Sequence, residues 1–159
     1  MKKYLLDTSI CVFLFRNNHD VAQRLNKIGR ERCFICDVVL AELRYGAYKS
    51  DWTEENLKLI DDFVKEIKVL PFADSIDVYA QEKLRLKDSG KPIEDFDLLI
   101  GCAAKAAGLT VVTHNIKHFN HIEGLDVEDW VKWVRAIALS HNLSPEWQGR
   151  WAISVSSLW

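Results

Sequence analysis

The 159-residue sequence predicts one α/β domain in which a parallel β-sheet has helices on both faces. Short β-prone runs alternate with longer stretches of helical periodicity along most of the chain. The apolar fraction of 48% and the charged fraction of 28% are those of an ordinary globular protein with its own core. This alternation favours right-handed crossovers and hence parallel strands, whose functional side chains gather at the carboxyl ends of the strands.

The chain opens on a short apolar strand, which is predicted over Lys3–Leu6. Ser9 has a side chain that caps helices well, so a helix is expected from there to Phe15. A second helix, Val21–Ile28, is indicated by apolar residues at helical spacing, and Gly29 is placed to end it. Two helices are therefore expected between the first strand and the second.

The second strand is predicted over Cys33–Ile35, and it leads into a helix for which Asp37 is expected to be the N-cap. On this helix Val38, Ala41 and Tyr45 recur at helical spacing. These three residues form an apolar stripe, which is therefore predicted to face the core.

The middle of the chain predicts a helix, a strand and another helix. Apolar residues at helical spacing place the first helix over Thr53–Ile67, and Pro71 ends a short strand over Lys68–Leu70. The next helix, Ile76–Lys87, is amphipathic. The residues that share its predicted inner side are Ile76, Tyr79, Ala80, Lys83 and Leu84.

A loop that contains glycine and proline precedes the last long helix. This helix begins at Asp95 or Asp97, both of which suit an N-terminal position, and Gly108 closes it. Two strands follow, a β-branched one over Thr110–Thr113 and a short one over Leu125–Val127. These strands complete the alternation.

The predicted domain covers residues 1–133, and residues 134–159 form a C-terminal tail of a different character. The tail has three tryptophans, one proline and weak periodicity. It is interpreted either as a small appended element or as a reading-frame remnant that is not native to the protein. No function is assigned to it.

The net charge and the apolar runs argue against two classes of protein. A formal net charge of −2 does not fit a protein that binds nucleic acid through a broad positive field. It does not exclude a nuclease, because a metal ion in an acidic pocket supplies local positive charge. No segment reaches the roughly 18–20 apolar residues of a membrane span.

The same sequence predicts a cytoplasmic location. Asp7 interrupts the apolar stretch at the N-terminus, and no small-residue cleavage site follows, so a signal peptide is not expected. The four cysteines show no regular framework and are interpreted as reduced thiols.

Three acidic residues are attached to apolar runs, a position where an ionised group is costly unless it is stabilised. Asp7 follows the first strand, Glu42 lies about one and a half turns into the helix after the second, and Asp97 precedes the run LLIGCAA. Two unit charges about 4 Å apart repel by about 4 kcal/mol at an effective dielectric near 20, so three carboxylates in one pocket favour a bound cation. Their hard oxygen atoms predict Mg²⁺ or Mn²⁺.

Small polar side chains accompany these carboxylates. Thr8 and Ser9 follow the first acidic residue, while Thr113 and Asn115 stand at the end of the TVVT strand. Hydroxyl and amide groups in such places are expected to position the substrate, the attacking water or the metal ligands. The predicted chemistry is hydrolysis of a phosphodiester bond by a metal-activated hydroxide.

Five motifs follow one another along the chain, and they are YLLDTSICVFLF, VVLAELRYGA, GKPIEDFDLLIGCAA, GLTVVTHNIKHF and GLDVEDW. Their order resembles that in PIN-domain ribonucleases, and most closely that in the VapC-type toxins of bacterial toxin–antitoxin pairs. Each motif is weak alone, and the order of all five makes the resemblance specific. The resemblance covers about residues 1–133.

The resemblance implies a three-layer α/β/α sandwich around a short parallel sheet. It implies that Asp7, Glu42 and Asp97 bind Mg²⁺ or Mn²⁺ and that the protein is an endoribonuclease of the toxin class. Its RNA substrate would be tRNA or rRNA. Its protein partners would be a second copy in a homodimer and a cognate antitoxin, whose C-terminal segment would cover the site.

One departure from the family pattern concerns the number of metal ions. His118 stands where many relatives carry a fourth acidic residue, whereas Asn115 still matches the polar residue of the family. Asp95 is two residues from Asp97 at a helix start, so its side chain is expected to point elsewhere. One metal ion is therefore predicted, and a second is not.

Two other functions remain open on the sequence alone. An Asp after the first strand also suits a phosphatase or phospho-acceptor domain, although the partner Lys and Thr motifs are not evident. The other alternative is a non-catalytic PIN-like binding module, which the histidine at the fourth acidic position supports.

Overall fold

A computed structural model of the chain describes residues 1–16 and 19–131, without the side chains of residues 19 and 20. Residues 132–133 at the end of the predicted domain, and the whole of the predicted tail 134–159, lie outside the described residues. The predicted domain boundary therefore stays a prediction. Within the described part of the chain, no helix combines the length and the apolarity that crossing a membrane would need.

Strands and helices alternate as predicted. In the described residues the strands are β1 (Tyr4–Leu6), β2 (Cys33–Cys36), β3 (Lys68–Leu70), β4 (Thr110–Val112) and β5 (Val127–Glu128). The helices are α1 (Thr8–Phe15), α2 (His19–Ile28), α3 (Asp37–Tyr48), α4 (Thr53–Glu66), α5 (Ile76–Asp88), α6 (Asp95–Ala106) and α7 (Ile116–Phe119). Short 3-10 turns at Arg30–Arg32 and Phe72–Ser75, together with α7, were not predicted.

The strands of the described residues form one parallel sheet in the order β3-β2-β1-β4-β5. β1 lies at the centre, where Tyr4 is opposite Cys33 of β2 on one side and Thr110 of β4 on the other. Helices flank the sheet, and the predicted three-layer α/β/α sandwich is confirmed. Because the strands are parallel, the residues that follow β1 and β4 lie at one edge of the sheet.

The central strands are buried on both faces. All three residues of β1 and all three of β4 are buried, as expected for parallel strands with helices on either side. Trp130, which follows β5, is 1% exposed and packs edge-to-face on Tyr4 with ring centroids 5.3 Å apart. The segment after the last strand is therefore part of the core.

The buried face of α3 differs from the prediction. Val39 and Leu43 are buried, whereas Val38 is only half-buried, Ala41 is exposed and Tyr45 is 57% exposed. The helix sequence VVLAELRYGAY has apolar residues around most of its circumference, so periodicity does not choose between the two stripes. The choice is made by the elements that pack against α3, which include β2 and α4.

The buried face of α5 also differs from the prediction. Ile76 and Leu84 are 54% and 61% exposed, whereas Glu82 is buried. The Glu82 carboxylate forms ion pairs with Arg85 of α5 and Lys105 of α6, both at 2.7 Å. A buried charge is tolerated when it is paired. The pattern of apolar residues cannot predict which side of a helix is buried when that side is buried by ion pairs.

Two helix starts differ from those predicted. Asp7, not Ser9, occupies the N-cap of α1. Asp37 is the first residue of α3, with Cys36 at the N-cap. Both oxygens of the Asp37 carboxylate accept a hydrogen bond from the backbone N–H of Phe72 at 3.1 Å. In this way the start of α3 is joined to the segment that follows β3.

Two further boundaries concern α6 and β5, while several other elements differ from the predicted bounds by one or two residues. The sequence allowed α6 to begin at Asp95 or Asp97, and it begins at Asp95 with Glu94 at its N-cap. β5 begins two residues later than the predicted Leu125–Val127, because Val111 of β4 pairs with Val127. The predicted first residue of that strand instead packs against the core.

Gly101 on α6 marks a close approach between this helix and the segment after β4. A Cβ atom there would lie well inside contact distance of Ile122 Cδ1 and 3.3 Å from Phe119 Cδ1. We expect Gly101→Val to lower the free energy of unfolding by about 1–3 kcal/mol, because both neighbours are buried and overpacking forces the core apart. Urea denaturation measures this change.

Gly101→Ala is the matched control for that experiment. It adds a smaller group, and its better helix propensity offsets about 1 kcal/mol of the cost. Its effect should therefore be milder. If the valine variant unfolds at the same urea concentration as the parent protein, α6 does not pack as closely as described.

Candidate active site

Asp7 lies where β1, α1 and the end of β4 meet. Leu6 is paired with Val112 in the sheet, so the residues that follow them, Asp7 and Thr113, are neighbours. The Thr113 hydroxyl donates a hydrogen bond to Asp7 Oδ2 at 2.8 Å, and the Ser9 hydroxyl donates to the same oxygen at 2.8 Å. Asp7 is only 4% exposed. The fold thus holds this carboxyl in the interior with two hydroxyl donors.

Glu42 approaches the site from α3. This helix packs against α1. The hydroxyl of Thr8, the first residue of α1, donates a short hydrogen bond to Glu42 Oε2. Thr8 and Ser9 therefore bind different carboxylates, although they are adjacent in the sequence.

Asp97 comes from the first turn of α6 and is 1% exposed. Its Oδ2 accepts a hydrogen bond from Asn115 Nδ2 at 2.9 Å and lies 2.6 Å from His118 Nδ1, which donates when that nitrogen carries the proton. Asn115 follows β4 and precedes α7, and His118 is on α7. His118, which the sequence analysis singled out as a departure from the resemblance, is thus a direct partner of Asp97.

The pKa values of all three carboxyls are raised, and burial is the largest cause for each. The pKa of Glu42 is about 7, with the negative charges of Asp7 and Asp97 adding to the effect of burial. The pKa of Asp97 is about 6, since the charge of Asp7 raises it further while the hydrogen bond with His118 lowers it. The pKa of Asp7 is also raised, against the effect of its hydroxyl donors. The three groups therefore repel one another when ionised.

The site opens into a cavity of about 450 Å³. The residues that line it are Asp7, Thr8, Ser9, Val12, Phe13, Glu42, Glu94, His114, Asn115 and His118. Asp97 does not line the cavity itself, but both of its hydrogen-bond partners do. As far as the structure describes the chain, no lysine or arginine is among the lining residues, so the cavity is strongly acidic.

Five of the lining residues were not among the predicted site residues, and they are Val12, Phe13, Glu94, His114 and His118. His114 directly follows Thr113, and this adjacency was a usable signal. Phe13 could not be told from an ordinary core residue of α1 by its spacing. Glu94 is the N-cap of α6, and the sequence did not decide whether that helix begins at Asp95 or Asp97.

Other candidates for chemistry lie away from the cavity. The Asp95 carboxylate forms an ion pair with Lys83 at 2.8 Å and so points elsewhere, as predicted. The four cysteines are buried and free of disulfide bonds, in agreement with their interpretation as reduced thiols. Burial raises the pKa of the Cys33 thiol and of the Cys36 thiol to about 11, so neither is a reactive nucleophile.

The carboxylate oxygens of the site are suitable ligands for a hard divalent cation, but in this structure they are not arranged to coordinate one. Among residues 1–16 and 19–131, no three His, Cys, Asp or Glu side chains are placed so that they could hold a metal ion. Thr8 holds Glu42, and His118 and Asn115 hold Asp97, through oxygens that a cation would need. Several buried carboxylates around one acidic cavity favour the uptake of a cation such as Mg²⁺ or Mn²⁺.

The family model of the PIN domain matches residues 4–125 of the chain. The chain is similar to "tRNA(fMet)-specific endonuclease VapC" of Shigella flexneri, with 39% identity over 132 residues, which are 82% of this chain and 99% of that protein. It is also similar to "Ribonuclease VapC2" of Rickettsia felis, with 36% identity over 137 residues, which are 81% of this chain and 98% of that protein.

A solved structure shares the fold. The crystal structure of DNA-bound VapBC from Salmonella typhimurium contains a chain with 34% identity and a TM-score of 0.76. The match covers 82% of this chain and 99% of that one. The similarity therefore extends over nearly the whole of the matched protein.

Proposed function

The chain belongs to the PIN-domain family, and from that premise we propose that it is a metal-dependent endoribonuclease and the toxin of a toxin–antitoxin pair. One observation carries the proposal. Asp7, Glu42 and Asp97 come from three separate parts of the chain; Asp7 and Glu42 line one cavity, and Asp97 is hydrogen-bonded to two other lining residues, Asn115 and His118. Burial raises the pKa of each carboxyl, and neighbouring negative charge adds to the effect at Glu42 and Asp97. A site that gathers negative charge in this way suits a cation and a phosphodiester substrate.

The proposed metal is one Mg²⁺ or Mn²⁺ ion, which Asp7, Glu42 and Asp97 would hold. When bound, such an ion polarises a phosphoryl oxygen and lowers the pKa of a bound water. The acidic lining by itself would repel the phosphates of RNA, and a cation would remove this repulsion. His118 occupies one oxygen of Asp97 and brings no second negative charge, which supports one ion rather than two.

The polar residues around the carboxylates have proposed roles in positioning. Ser9 and Thr113 fix the Asp7 carboxylate through hydroxyl donors, and Thr8 fixes Glu42. Asn115 fixes Asp97 through its side-chain amide. Hydrogen bonds of this kind orient the groups that hold a metal and the water that attacks the phosphate. The proposed reaction is the hydrolysis of a phosphodiester bond within an RNA chain.

The names of the relatives guide the proposed substrate and partners. The Shigella flexneri relative is named as specific for tRNA(fMet), so we propose tRNA as the substrate class, with rRNA as the second choice. The VapBC complex from Salmonella typhimurium supports a cognate antitoxin as partner. A homodimer and a cytoplasmic location complete the proposal, and the free cysteines agree with a reducing compartment.

RNA cleavage by the purified protein tests this function. We expect discrete products from total tRNA in the presence of Mn²⁺ or Mg²⁺, no products with excess EDTA, and recovery of cleavage when the metal is restored. Sequencing of the new RNA ends locates the cut. Asp77→Asn, which removes an exposed acidic residue of α5, is the control for a general change in charge. Intact tRNA and rRNA after incubation with both metals would contradict the proposal.

The two alternatives predict different results. A phospho-acceptor domain needs a lysine beside its aspartate, and the described lining of the cavity contains none. If the protein is a non-catalytic binding module, Glu42→Gln should leave its affinity for Mn²⁺ unchanged. Calorimetric titration with Mn²⁺ therefore separates this alternative from the nuclease, for which the variant should bind the ion more weakly.

A further inference from the structure

One wall of the cavity is aromatic. Phe13 on α1 and His114 after β4 both line the cavity, with ring centroids 5.8 Å apart and ring planes at 86°. The His114 side chain is 54% exposed, while Phe13 is partly buried against the core. Neither residue binds the acidic groups of the site. The rings are nearly perpendicular, so the edge of one meets the face of the other, and both belong to the wall of the cavity.

His114 is held at both its backbone and its ring. Its backbone N–H donates a hydrogen bond to Ser9 Oγ at 3.3 Å. Its ring Nδ1 lies 3.3 Å from Oδ2 of Asp129, whose side chain is 3% exposed. A side chain that is already fixed loses little conformational freedom when a ligand binds to it. The exposed ring is thus prepared for binding.

Ser9 connects the aromatic wall to the acidic residues. Its hydroxyl donates to Asp7 Oδ2 at 2.8 Å and accepts the hydrogen bond from the His114 backbone. The cavity volume of about 450 Å³ lies within the roughly 300–1,000 Å³ of small-ligand pockets. A phosphate at the carboxylates and a base at the aromatic wall can therefore belong to one nucleotide.

We propose that Phe13 and His114 form a nucleobase subsite, against which an unpaired base beside the scissile phosphate stacks. The proposal deepens the proposed function and rests on it, since it names the part of the RNA that the cavity binds. Unpaired RNA bases stack on aromatic side chains, histidine included. Stacking tolerates every base, because each has a π-face. The subsite therefore selects unpaired nucleotides and adds little preference among the four bases.

Binding of short RNA probes to an uncleaving protein tests the subsite. The parent for the test is Glu42→Gln at a Mn²⁺ concentration that calorimetry shows to saturate its site, and the probes are fluorescein-labelled penta-uridylate and an abasic ribose-phosphate pentamer of equal charge. The parent should bind penta-uridylate at least about fivefold more tightly, the lower end of the effect of one stacked base. Adding Phe13→Leu or His114→Gln should remove this difference and leave the affinity for the abasic pentamer unchanged.

Matched variants separate stacking from a merely structural role. His114→Trp keeps an aromatic face and should restore the preference for the probe with bases. Tyr48→Ala removes an aromatic side chain that is 67% exposed outside the cavity lining, and it should change nothing. Equal affinity of the parent for both probes, including no binding of either, overturns the subsite. An equal loss of affinity for both probes in the Phe13→Leu and His114→Gln variants also overturns it, because these residues would then contribute to binding of the RNA backbone and not of the base.

The failure of the subsite can be told from the failure of the nuclease. Cleavage of tRNA by the wild-type protein, measured as above, stands on its own. If cleavage occurs and the two probes bind equally, the ribonuclease remains and the subsite is rejected. If cleavage does not occur with either metal, the proposed function itself is wrong.

Discussion

Asp7→Asn and Asp97→Asn are each expected to lower the rate of RNA cleavage by about 100- to 1,000-fold while the protein stays folded. A metal ion supplies several kcal/mol of transition-state stabilisation, and each 1.4 kcal/mol is about tenfold in rate. Asparagine has nearly the shape of aspartate, and its amide oxygen still accepts hydrogen bonds. The hydroxyl donors of Thr113 and Ser9 would therefore keep a partner in the Asp7 variant. Loss of one charge, rather than loss of packing, would then explain the effect.

Initial rates of tRNA cleavage at saturating Mn²⁺ measure this loss, and circular dichroism checks the fold. Calorimetry with Mn²⁺ adds a readout that does not depend on catalysis, because both variants should bind the ion more weakly. Asp77→Asn should cleave at the wild-type rate, since that residue is exposed on α5. If both site variants also cleave at the wild-type rate, these carboxylates do not form the active site.

The metal-free protein is expected to lose about 2–4 kcal/mol of its free energy of unfolding as the pH rises from 5 to 8. The pKa of Glu42 is raised from its usual 4.5 to about 7, and that of Asp97 from 3.8 to about 6. In the intervening pH range the folded protein holds protons that the unfolded chain has released, so a rise in pH favours unfolding. One pKa unit corresponds to about 1.4 kcal/mol, and coupling between the two groups makes the sum of both shifts an upper limit.

Urea denaturation in excess EDTA at several pH values between 5 and 8 measures this slope. The range starts at pH 5 because Glu82 and Glu128, whose pKa values are lowered by their ion pairs, lose their stabilising effect only at more acidic pH. Glu42→Gln should flatten the slope and should be more stable than the wild type at pH 8. A slope that is the same in wild type and variant would mean that Glu42 is not buried among like charges.

Bound Mn²⁺ should reverse this loss at pH 8. A ligand that binds only the folded state stabilises it by mass action, and ionised carboxylates bind a cation better than protonated ones. The burial and like-charge repulsion that weaken the metal-free protein at high pH would thus favour metal binding there. Destabilisation without metal and affinity for metal have one physical cause, the burial of Asp7, Glu42 and Asp97 near one another.

Much of the fold follows from local patterns in the sequence. The bounds of β3 agree with Lys68–Leu70, because a short β-prone run there is stopped by Pro71. The alternation of strands and helices indicated a parallel sheet, since parallel strands need crossover helices. The same reasoning led to Asp7 as a site residue, because the carboxyl ends of parallel strands form one edge.

Local sequence patterns did not predict which sides of α3 and α5 are buried. α3 buries the side with Leu43 instead of the side with Tyr45, although both sides are apolar. α5 buries Glu82, which is not among the residues that the sequence grouped on its inner side. In both helices the neighbours that pack against the helix, or pair with its charge, made the choice. Those neighbours are distant in sequence, so a local pattern contains no information about them.

The sequence alone determined which residues could carry the chemistry and the order in which they occur. Only the tertiary structure decided their partners: Thr8 on Glu42, Thr113 on Asp7, and His118 on Asp97. It also brought Phe13 and His114 together as one wall of the cavity. Hydrogen bonds, ring contacts and pKa shifts depend on distances of a few ångströms between segments up to about a hundred residues apart. Such distances are set by the packing of the whole domain.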